Sequence, residues 1–384
     1  MHAAGMRTNH STADLHPALT PTSIGALRLS NRLVVAPMSR VSTAGDGVPT
    51  EAMRRYYASF AEGGFGLVIT EGTYPDLAHS QGYADQPGLA SDEQAAAWRP
   101  IVDAVHAAGA KMIVQLMHAG ALSQGNRHRA ETIGPSAVQP KGEKMPEYGG
   151  SGPYAMPRAM NDDDIRDVLD GVARAAVRAR DVGFDGVELH AANGYLFDQF
   201  LTTYTNTRID RYNGPVENRI RLAAEAVRAM RRAVGSGLVI GARVSQAKVN
   251  DFSYRWPGGA EDGKVIFAAL REAGADYLHV AGEGRGWRQG AQLPGGVTLT
   301  ELARRVGELP VIANGGLDDP ALSARVIEGG HADLVSIGRG ALANPDWPRR
   351  LAGGAPFEPF DRAMLHPYAS LENVERWRRS RAAQ

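Results

Sequence analysis

The sequence contains no cysteine among its 384 residues. This absence excludes disulfide bonds, a thiolate nucleophile, a zinc site with cysteine ligands and an iron–sulfur cluster held by four cysteines. Any redox chemistry therefore requires a bound organic cofactor or a metal site built from other side chains.

An excess of either charge is also absent, because 42 Lys and Arg residues balance 42 Asp and Glu residues. Binding to a phosphate backbone needs a local surplus of basic side chains, so we expect no nucleic-acid partner. No apolar run approaches the roughly 18 to 20 residues that span a membrane, and the N-terminal stretch has no apolar signal-peptide core. We therefore expect a cytoplasmic protein with no membrane partner.

Glycine, in contrast, is abundant. The chain has 45 glycines, whereas a usual share of roughly 7 % corresponds to about 27. Many of them follow predicted strands, at points where a backbone can approach a ligand closely because no side chain intervenes.

Short apolar and β-branched runs alternate with segments of helical periodicity. This pattern is typical of a parallel sheet covered by helices, and eight such units predict an α/β fold, a single-domain (β/α)8 TIM barrel. The predicted strands are 32–36, 66–71, 111–116, 185–189, 238–244, 276–280, 310–313 and 333–337. The predicted helices are 51–63, 92–108, 161–182, 216–234, 260–273, 298–307, 319–329 and 345–352.

The predicted organisation has three parts: a flexible N-terminal tail (1–18), the barrel (19–353) and a C-terminal segment with a helix (354–384). A doubly wound sheet is the alternative fold. That fold would carry a Gly-x-Gly-x-x-Gly fingerprint after the first strand, where this sequence has Ala-Pro-Met-Ser at 36–39.

Two connections are much longer than the roughly 2 to 6 residues of ordinary βα loops. They run over about 117–160 and 190–215, after the third and fourth predicted strands. Active sites of such barrels lie at the carboxyl ends of the strands. We therefore expect these two loops to form walls or lids of a cavity.

The strongest local signal follows the fourth predicted strand, where His190, Asn193 and Tyr195 lie within six residues. A histidine and an asparagine can donate hydrogen bonds to one oxygen atom, and a tyrosine can supply a proton. A polar loop with a structural histidine is the alternative interpretation.

Other predicted strand ends also favour a ligand site. Gln115 follows the third strand and Arg243 ends the fifth. Glycine-rich turns with an arginine follow the seventh and eighth strands, and such turns hold phosphate groups in barrels. These turns contain Gly315, Gly316, Gly338 and Arg339.

Taken together, these motifs resemble the Old Yellow Enzyme family over about residues 19–353. The matching segments are Asn-Arg-Leu-Val-Val-Ala-Pro-Met at 31–38, Thr-Glu-Gly-Thr at 70–73, Gln-Leu-Met-His-Ala-Gly at 115–120, His-Ala-Ala-Asn-Gly-Tyr at 190–195, Phe-Leu at 200–201, Asn-Thr-Arg at 206–208, Glu-Asn-Arg at 217–219, Gly-Arg at 338–339 and Asn-Pro at 344–345. The resemblance implies an FMN-containing barrel that NADPH or NADH reduces.

The resemblance also implies roles for individual residues at the cofactor. Arg243 resembles the residue whose positive charge lies at flavin N1 and O2 and stabilises the anionic reduced flavin. The positions that resemble flavin-ring contacts are Ala36, Pro37, Met38, Ser39, Gly72 and Gln115. Those that resemble the phosphate cradle are Gly315, Gly316, Gly338 and Arg339.

On the substrate side, His190 and Asn193 resemble the pair that binds a carbonyl or nitro oxygen, and Tyr195 resembles the proton donor. The implied partners are small molecules: activated alkenes, enones, quinones or nitro compounds. The expected reaction is hydride transfer from FMN to the β carbon of such an alkene, with Tyr195 protonating the α carbon. A homo-oligomer is a further possibility that the sequence leaves open.

The chain departs from the family pattern at several positions. Ser39 stands where one branch has cysteine and another threonine, and Val41 replaces a frequent aromatic residue. Ala121 stands where many members have arginine. These differences bear on the flavin potential and on the shape of the substrate pocket.

Two other classes compete with this interpretation. In a metal-dependent barrel hydrolase, His118, His190 and His279 would be ligands at three strand ends. Such a site usually needs ligands from the first and last strands too, and this sequence offers none there. We therefore expect no metal. A barrel retained only for binding is disfavoured, because the polar positions all carry residues able to do chemistry.

Overall fold

The computed structural model describes residues 15–282 and 286–382. Residues 1–14, most of the predicted N-terminal tail, lie outside the described residues. Within this part of the chain the strands are β1 (Thr22–Ile24), β2 (Leu27–Leu29), β3 (Leu33–Val35), β4 (Leu67–Ile69), β5 (Lys111–Leu116), β6 (Ile133–Gly134), β7 (Arg158–Ala159), β8 (Gly186–Asn193), β9 (Val239–Lys248), β10 (Tyr277–Val280), β11 (Val311–Asn314) and β12 (Leu334–Ile337).

The helices of the same described part surround these strands. They are α1 (Glu51–Glu62), α2 (Asp92–Ala107), α3 (Asp162–Val182), α4 (Leu196–Leu201), α5 (Val216–Arg219), α6 (Arg221–Val234), α7 (Ala260–Glu272), α8 (Gly286–Gly290), α9 (Leu299–Gly307), α10 (Pro320–Glu328), α11 (Arg339–Ala343), α12 (Trp347–Gly353) and α13 (Leu371–Ala382).

Eight strands close into a barrel in the order β3-β4-β5-β8-β9-β10-β11-β12. Every neighbouring pair in this barrel is parallel. The prediction of a (β/α)8 barrel is therefore confirmed, and the doubly wound alternative is wrong. The apolar runs became strands because both faces of a barrel strand are buried, one inside the barrel and one under the helices.

Local signals in the sequence place the helix ends. Asn161 and Ser91 both form capping boxes, in which each side chain accepts the backbone N–H three residues ahead. Acidic side chains in the first turn of each helix favour the same ends, because unpaired N–H groups there carry partial positive charge. Gly183 ends α3 in the left-handed region at φ 100°, which glycine adopts without steric cost.

Two predicted boundaries are wrong, and both errors lie beside the candidate site. The fourth predicted strand was expected to end at 189 and the fifth at 244. The observed β8 reaches Asn193 and β9 reaches Lys248, because the two strands continue to pair beyond those points with an irregularity between Ala191 and Asn193. His190 and Asn193 therefore lie on a strand rather than in a loop.

An apolar cluster fills the N-terminal end of the barrel. Ile24 and Leu29 of the β1–β2 hairpin pack against inward-facing side chains of the barrel strands. The barrel members of this cluster are Val34, Leu67, Ile69, Ile113, Tyr277, Ile312 and Leu334. The hairpin thus closes this end of the barrel, and the opposite end carries the long loops.

The C-terminal segment returns to the loop that follows β3. Arg40 donates a hydrogen bond from Nη2 to the carbonyl of Ser370 (3.2 Å), and the Leu371 N–H donates to Ser42 Oγ (2.9 Å). Helix α13 contacts α1 beside these bonds. No described helix has the length and apolar character needed to cross a membrane.

Candidate active site

Two neighbouring cavities open at the carboxyl ends of the barrel strands. Their volumes are about 540 Å³ and about 560 Å³. We call them the ring cavity and the phosphate cavity, respectively. Both are lined by Pro37, Met38, Arg243, Phe252 and Arg339, so they form one continuous site.

All fourteen site residues predicted from the sequence line one cavity or the other. The ring cavity contains Pro37, Met38, Ser39, Gly72, Gln115, His190, Asn193, Tyr195, Arg243 and Arg339. The phosphate cavity contains Ala36, Pro37, Met38, Arg243, Gly315, Gly316, Gly338 and Arg339. The structure therefore brings together residues from 36 to 339 in the sequence, as the barrel topology predicts.

His190 enters the ring cavity from β8 and is almost fully buried. Burial lowers the pKa of His190 well below its usual value, and the nearby charges of Arg243 and His279 act in the same direction. The imidazole is therefore neutral at physiological pH. Its Nδ1 atom is buried and has no hydrogen-bond partner among the described residues.

Asn193 is the last residue of β8, and Tyr195 lies in the turn that follows it. Asn193 has a left-handed backbone (φ 63°), and its N–H donates to Ser245 Oγ at 2.8 Å. The ring of Tyr195 lies 5.0 Å from that of His190, centroid to centroid. His190, Asn193 and Tyr195, which lie close together in the sequence, therefore line the same cavity.

Tyr83 is a site residue that sequence reasoning missed. It lines the ring cavity, and its hydroxyl is hydrogen-bonded to the hydroxyl of Tyr195. Its ring packs 4.6 Å from that of Tyr148. Burial, followed by the neighbouring Tyr195, raises the pKa of Tyr83 well above its usual value, so Tyr83 keeps its proton. No motif or periodicity marks this position in the sequence.

Glu188 is a second residue that the sequence did not reveal. It is fully buried inside the barrel, and its Oε1 accepts a hydrogen bond from Gln115 Nε2 at 2.7 Å. Its Oε2 accepts from Tyr277 Oη and contacts His279 Nδ1, both at 2.9 Å. Because the amide nitrogen of Gln115 is used in this way, its Oε1 is left to accept a hydrogen bond from a ligand.

The charge of Glu188 is balanced inside the barrel. Burial alone would raise its pKa, but the charges of His279 and Arg243 outweigh burial and hold the pKa below its usual value. His279 also contacts Ser336 Oγ at 2.9 Å through Nε2. His279 is therefore an interior, hydrogen-bonded histidine. The sequence does contain one indication of Glu188, because a carboxylate is unusual within an otherwise apolar strand.

Arg243 links the two cavities. It projects from β9, is 4 % exposed, and donates from Nη2 to Asn314 Oδ1 at 3.2 Å. Since arginine does not lose its proton, a permanent positive charge faces the place where both cavities meet. Arg339, the first residue of α11, is exposed and lines both cavities as well.

Glycines leave the backbone accessible in the phosphate cavity. Gly315 and Gly316 have φ angles of 124° and 66°, which side chains rarely adopt. A Cβ atom at Gly315 would lie 2.6 Å from the backbone nitrogen of Trp287, whereas a Cβ at Gly316 would meet no atom within 4 Å. The Gly315 position is thus sterically closed to a side chain, and Gly316 faces open space.

The residues present fit FMN. A flat ring system in the ring cavity would meet Gly72 and the residues at 37–39, with Gln115 and Arg243 as polar partners. Glycine backbone and the guanidinium of Arg339 suit a phosphate group. The joined cavities provide both chemistries within one site.

The hydrolase alternative has no support. Both ring nitrogens of His279 are engaged by Glu188 and Ser336. His118 accepts the N–H of Gly120 through Nδ1, and its Nε2 lies 3.8 Å from Asp76. Within residues 15–282 and 286–382, no group of three histidine or acidic side chains is placed to hold a metal ion.

Comparison with known proteins assigns the family. The family model described as "NADH:flavin oxidoreductase / NADH oxidase family" matches residues 18–358. The chain is 35 % identical to 12-oxophytodienoate reductase 1 of Oryza sativa subsp. japonica over 361 residues, which cover 91 % of the chain and 90 % of that protein. It is 33 % identical to NADH oxidase of Thermoanaerobacter brockii over 348 residues, 86 % of the chain, and spans only half of that relative's length.

Solved structures agree with this assignment. Morphinone reductase in complex with tetrahydroNAD superimposes with a TM-score of 0.81 at 32 % identity, covering 91 % of this chain and 94 % of that one. The Old Yellow Enzyme homologue from Zymomonas mobilis gives a TM-score of 0.80 at 34 % identity, with coverage of 89 % and 94 %. The chain belongs to the NADH:flavin oxidoreductase family of FMN-dependent, nicotinamide-using enzymes, the Old Yellow Enzyme group.

Proposed function

We propose that this enzyme is an ene-reductase for alkenes activated by a carbonyl or nitro group. The observation that carries the proposal is that His190, Asn193 and Tyr195 line the ring cavity together with Gln115 and Arg243. Bound FMN supplies a hydride acceptor for NADPH or NADH and a hydride donor for the alkene. The remaining chemistry falls to side chains of the protein.

His190 and Asn193 bind the activating oxygen of the substrate. Both side chains can donate a hydrogen bond, and the neutral imidazole donates without carrying a charge. Negative charge develops on that oxygen as hydride reaches the β carbon, so donors fixed in a buried site stabilise the transition state more than the bound substrate. Polarisation of the alkene is therefore the role of this pair.

Tyr195 protonates the α carbon. A tyrosine hydroxyl can act as a general acid that gives its proton to carbon. Tyr83 supports this role, because a hydrogen bond that Tyr83 donates to Tyr195 Oη stabilises the phenolate left after proton transfer. Water in the open ring cavity then restores the proton.

Residues from six strand ends would hold the cofactor. Arg243 would supply positive charge to the flavin ring, and Gln115 Oε1 would accept a hydrogen bond from it. Residues 36–39 and Gly72 would contact the ring. Gly315, Gly316, Gly338 and Arg339 would bind the phosphate through N–H groups and the guanidinium.

The names of similar proteins support the substrate class. A 12-oxophytodienoate reductase and a morphinone reductase are each named for a reduced substrate, and the latter was solved with tetrahydroNAD. For this enzyme the class is activated alkenes, including enones and nitroalkenes, with quinones as further acceptors. NADPH and NADH both remain candidate reductants.

Two half-reactions separate the proposed roles. The purified enzyme is reduced anaerobically with NADPH or NADH, and the reoxidation of its flavin by a panel of enones, nitroalkenes and quinones is followed by stopped-flow absorbance. Tyr195→Phe should slow reoxidation by enones roughly 10²-fold to 10⁴-fold, with flavin reduction changed less than threefold.

Tyr154→Phe is the matched control, because Tyr154 is buried in the same apolar cluster and its hydroxyl has no partner among the described residues. It should leave both half-reactions unchanged. A wild-type flavin that is reduced normally but reoxidised by no alkene of the panel would refute the ene-reductase proposal.

A further inference from the structure

Asp198 and Lys248 form a buried ion pair behind the turn that carries Asn193 and Tyr195. Asp198 Oδ1 lies 2.5 Å from Lys248 Nζ, and the two side chains are 0 % and 1 % exposed. Asp198 belongs to the short helix α4, and Lys248 is the last residue of β9. Neither residue lines the ring cavity, so the pair does not act on substrate directly.

The second carboxylate oxygen of Asp198 holds this turn. Asp198 Oδ2 accepts the backbone N–H of Gly194 at 2.7 Å. Gly194 lies between the oxygen-binding Asn193 and the proton donor Tyr195, so its N–H fixes the orientation of both neighbours. The hydrogen bond from Gly194 to Asp198 therefore affects the positions of both Asn193 and Tyr195.

The turn needs such a partner, because its backbone is unusual. Asn193 and Gly194 are consecutive left-handed residues, with φ angles of 63° and 88°. A non-glycine residue in this region is uncommon and costs energy unless the surroundings determine it. A Cβ at Gly194 would also lie 2.8 Å from Asn250 Oδ1 and 3.1 Å from a methyl group of Leu122. Close packing around Gly194 therefore restricts the backbone of the turn to few conformations.

Lys248 connects the carboxylate to the barrel. It is the register partner of Asn193 in the β8–β9 pair, so its position is set by the same strands that present His190. Its Nζ also lies 4.8 Å from the ring centre of Tyr254. The ammonium thus orients Asp198 from the strand next to the turn.

A buried pair of this kind is costly on its own. Moving two charges out of water costs several kcal/mol for each ion, and a well-packed apolar pair of similar volume is often equally stable. Stability alone is therefore a weak reason for Asp198 and Lys248. Fixing the geometry of the turn is a use that an apolar pair could not supply, because it has no acceptor for the Gly194 N–H.

We propose that Asp198, oriented by Lys248, is the positioning residue that holds Asn193 and Tyr195 in their catalytic geometry. This inference rests on the proposed ene-reductase function for its kinetic consequence. Its structural consequence, the backbone conformation at residues 193–194, is independent of that function and has its own test.

Two double variants isolate the acceptor oxygen from the charges. Asp198→Asn with Lys248→Met removes both charges but keeps an oxygen for the Gly194 N–H. Asp198→Leu with Lys248→Met removes the charges and the acceptor together. Single variants are avoided, because each would leave one buried charge without its partner and unfold the protein for that reason.

The kinetic test compares the alkene-dependent reoxidation of reduced flavin. The leucine double variant should be roughly tenfold to a hundredfold slower than the asparagine double variant, since misplacement of about 1 Å costs this much. Reoxidation by ferricyanide, which takes electrons without a carbon protonation step, should be the same in both. The solvent deuterium isotope effect on alkene reduction should rise only in the leucine variant.

The structural test needs no activity. Crystal structures of both double variants should show the left-handed pair at 193–194 retained with asparagine and lost with leucine. An unchanged turn in the leucine variant overturns the proposal, whether or not the enzyme reduces alkenes. Equal loss of alkene and ferricyanide rates, together with loss of bound FMN, would instead mark the pair as a purely structural element and also overturn it.

Discussion

The hydroxyl groups of Tyr83 and Tyr195 are hydrogen-bonded to each other across 112 residues of sequence. Tyr83 comes from the loop after β4, and Tyr195 follows β8, so the bond joins two walls of the ring cavity. Both side chains are buried, which makes this hydroxyl pair a fixed part of the site.

Tyr83→Phe should slow the reoxidation of reduced flavin by enones about threefold to tenfold. The size follows from the net value of one hydrogen bond, about 0.5 to 1.5 kcal/mol. Stopped-flow measurement of each half-reaction gives the rates, and reduction by NADPH serves as the internal control. A rate as low as that of Tyr195→Phe would show that both hydroxyls are equally required and would contradict a merely supporting role for Tyr83.

The activity of the wild-type enzyme should show no acidic limb from His190 between pH 5.5 and 8. Burial lowers the pKa of His190 well below its usual value, so the ring is already neutral throughout this range. His190→Ala should lower kcat/KM for enones about 10²-fold, because one donor to the developing charge is lost. A limb near pH 6.5 in the wild type that disappears in this variant would contradict the neutral assignment.

Glu188→Gln should weaken FMN binding about tenfold. A glutamine at 188 offers one acceptor where the carboxylate serves Gln115, Tyr277 and His279, so the amide of Gln115 loses its fixed orientation. The dissociation constant is measured from the fluorescence of flavin released on dilution. Tyr277→Phe is the control, because it removes one donor to Glu188 without touching Gln115; equal affinities in all three proteins would disprove the role of Glu188.

The stability difference between the wild type and Glu71→Gln should depend on pH. Glu71 accepts the backbone N–H groups of Arg40 and Val41 through Oε2, at 2.7 Å and 3.0 Å. Burial raises the pKa of Glu71 to about 7 from 4.5. A raised pKa means that the folded state binds the proton more tightly, so the protonated form stabilises the fold below pH 4.5 and this contribution is lost as the pH rises through about 7.

The wild type should therefore lose roughly 3 kcal/mol relative to Glu71→Gln between pH 4.5 and pH 8, at 1.36 kcal/mol for each unit of pKa shift. Urea unfolding of both proteins across this range measures the difference. A difference that stays constant with pH would exclude Glu71 as the titrating group.

The architecture was predictable from the sequence, because each strand and helix carries its own periodicity and end signals. The fourteen predicted site residues line the two cavities for a related reason: strand ends can be recognised locally, and a closed barrel brings them together. Their individual roles remain predictions. Predicting the fold required no information about contacts between side chains.

The missed residues act through partners that are distant in sequence. Tyr83 matters because of Tyr195, and Glu188 because of Gln115. Lys248 lay beyond the predicted end of its strand, since nothing in the local pattern shows that β8 and β9 keep pairing past 189 and 244. Such contacts depend on the packed structure, so periodicity and spacing do not reveal them.

In the part of the chain that the structure describes, the hairpin closes the N-terminal end of the barrel, so we expect reductant and oxidant to enter from the same, opposite end. Apolar side chains from β1 and β2 fill the N-terminal end, and both cavities open on the other side. We therefore expect that the two reactants do not occupy the site together and that each leaves before the next arrives. Steady-state kinetics should accordingly be ping-pong, with parallel lines in double-reciprocal plots and inhibition by excess alkene competitive with the pyridine nucleotide.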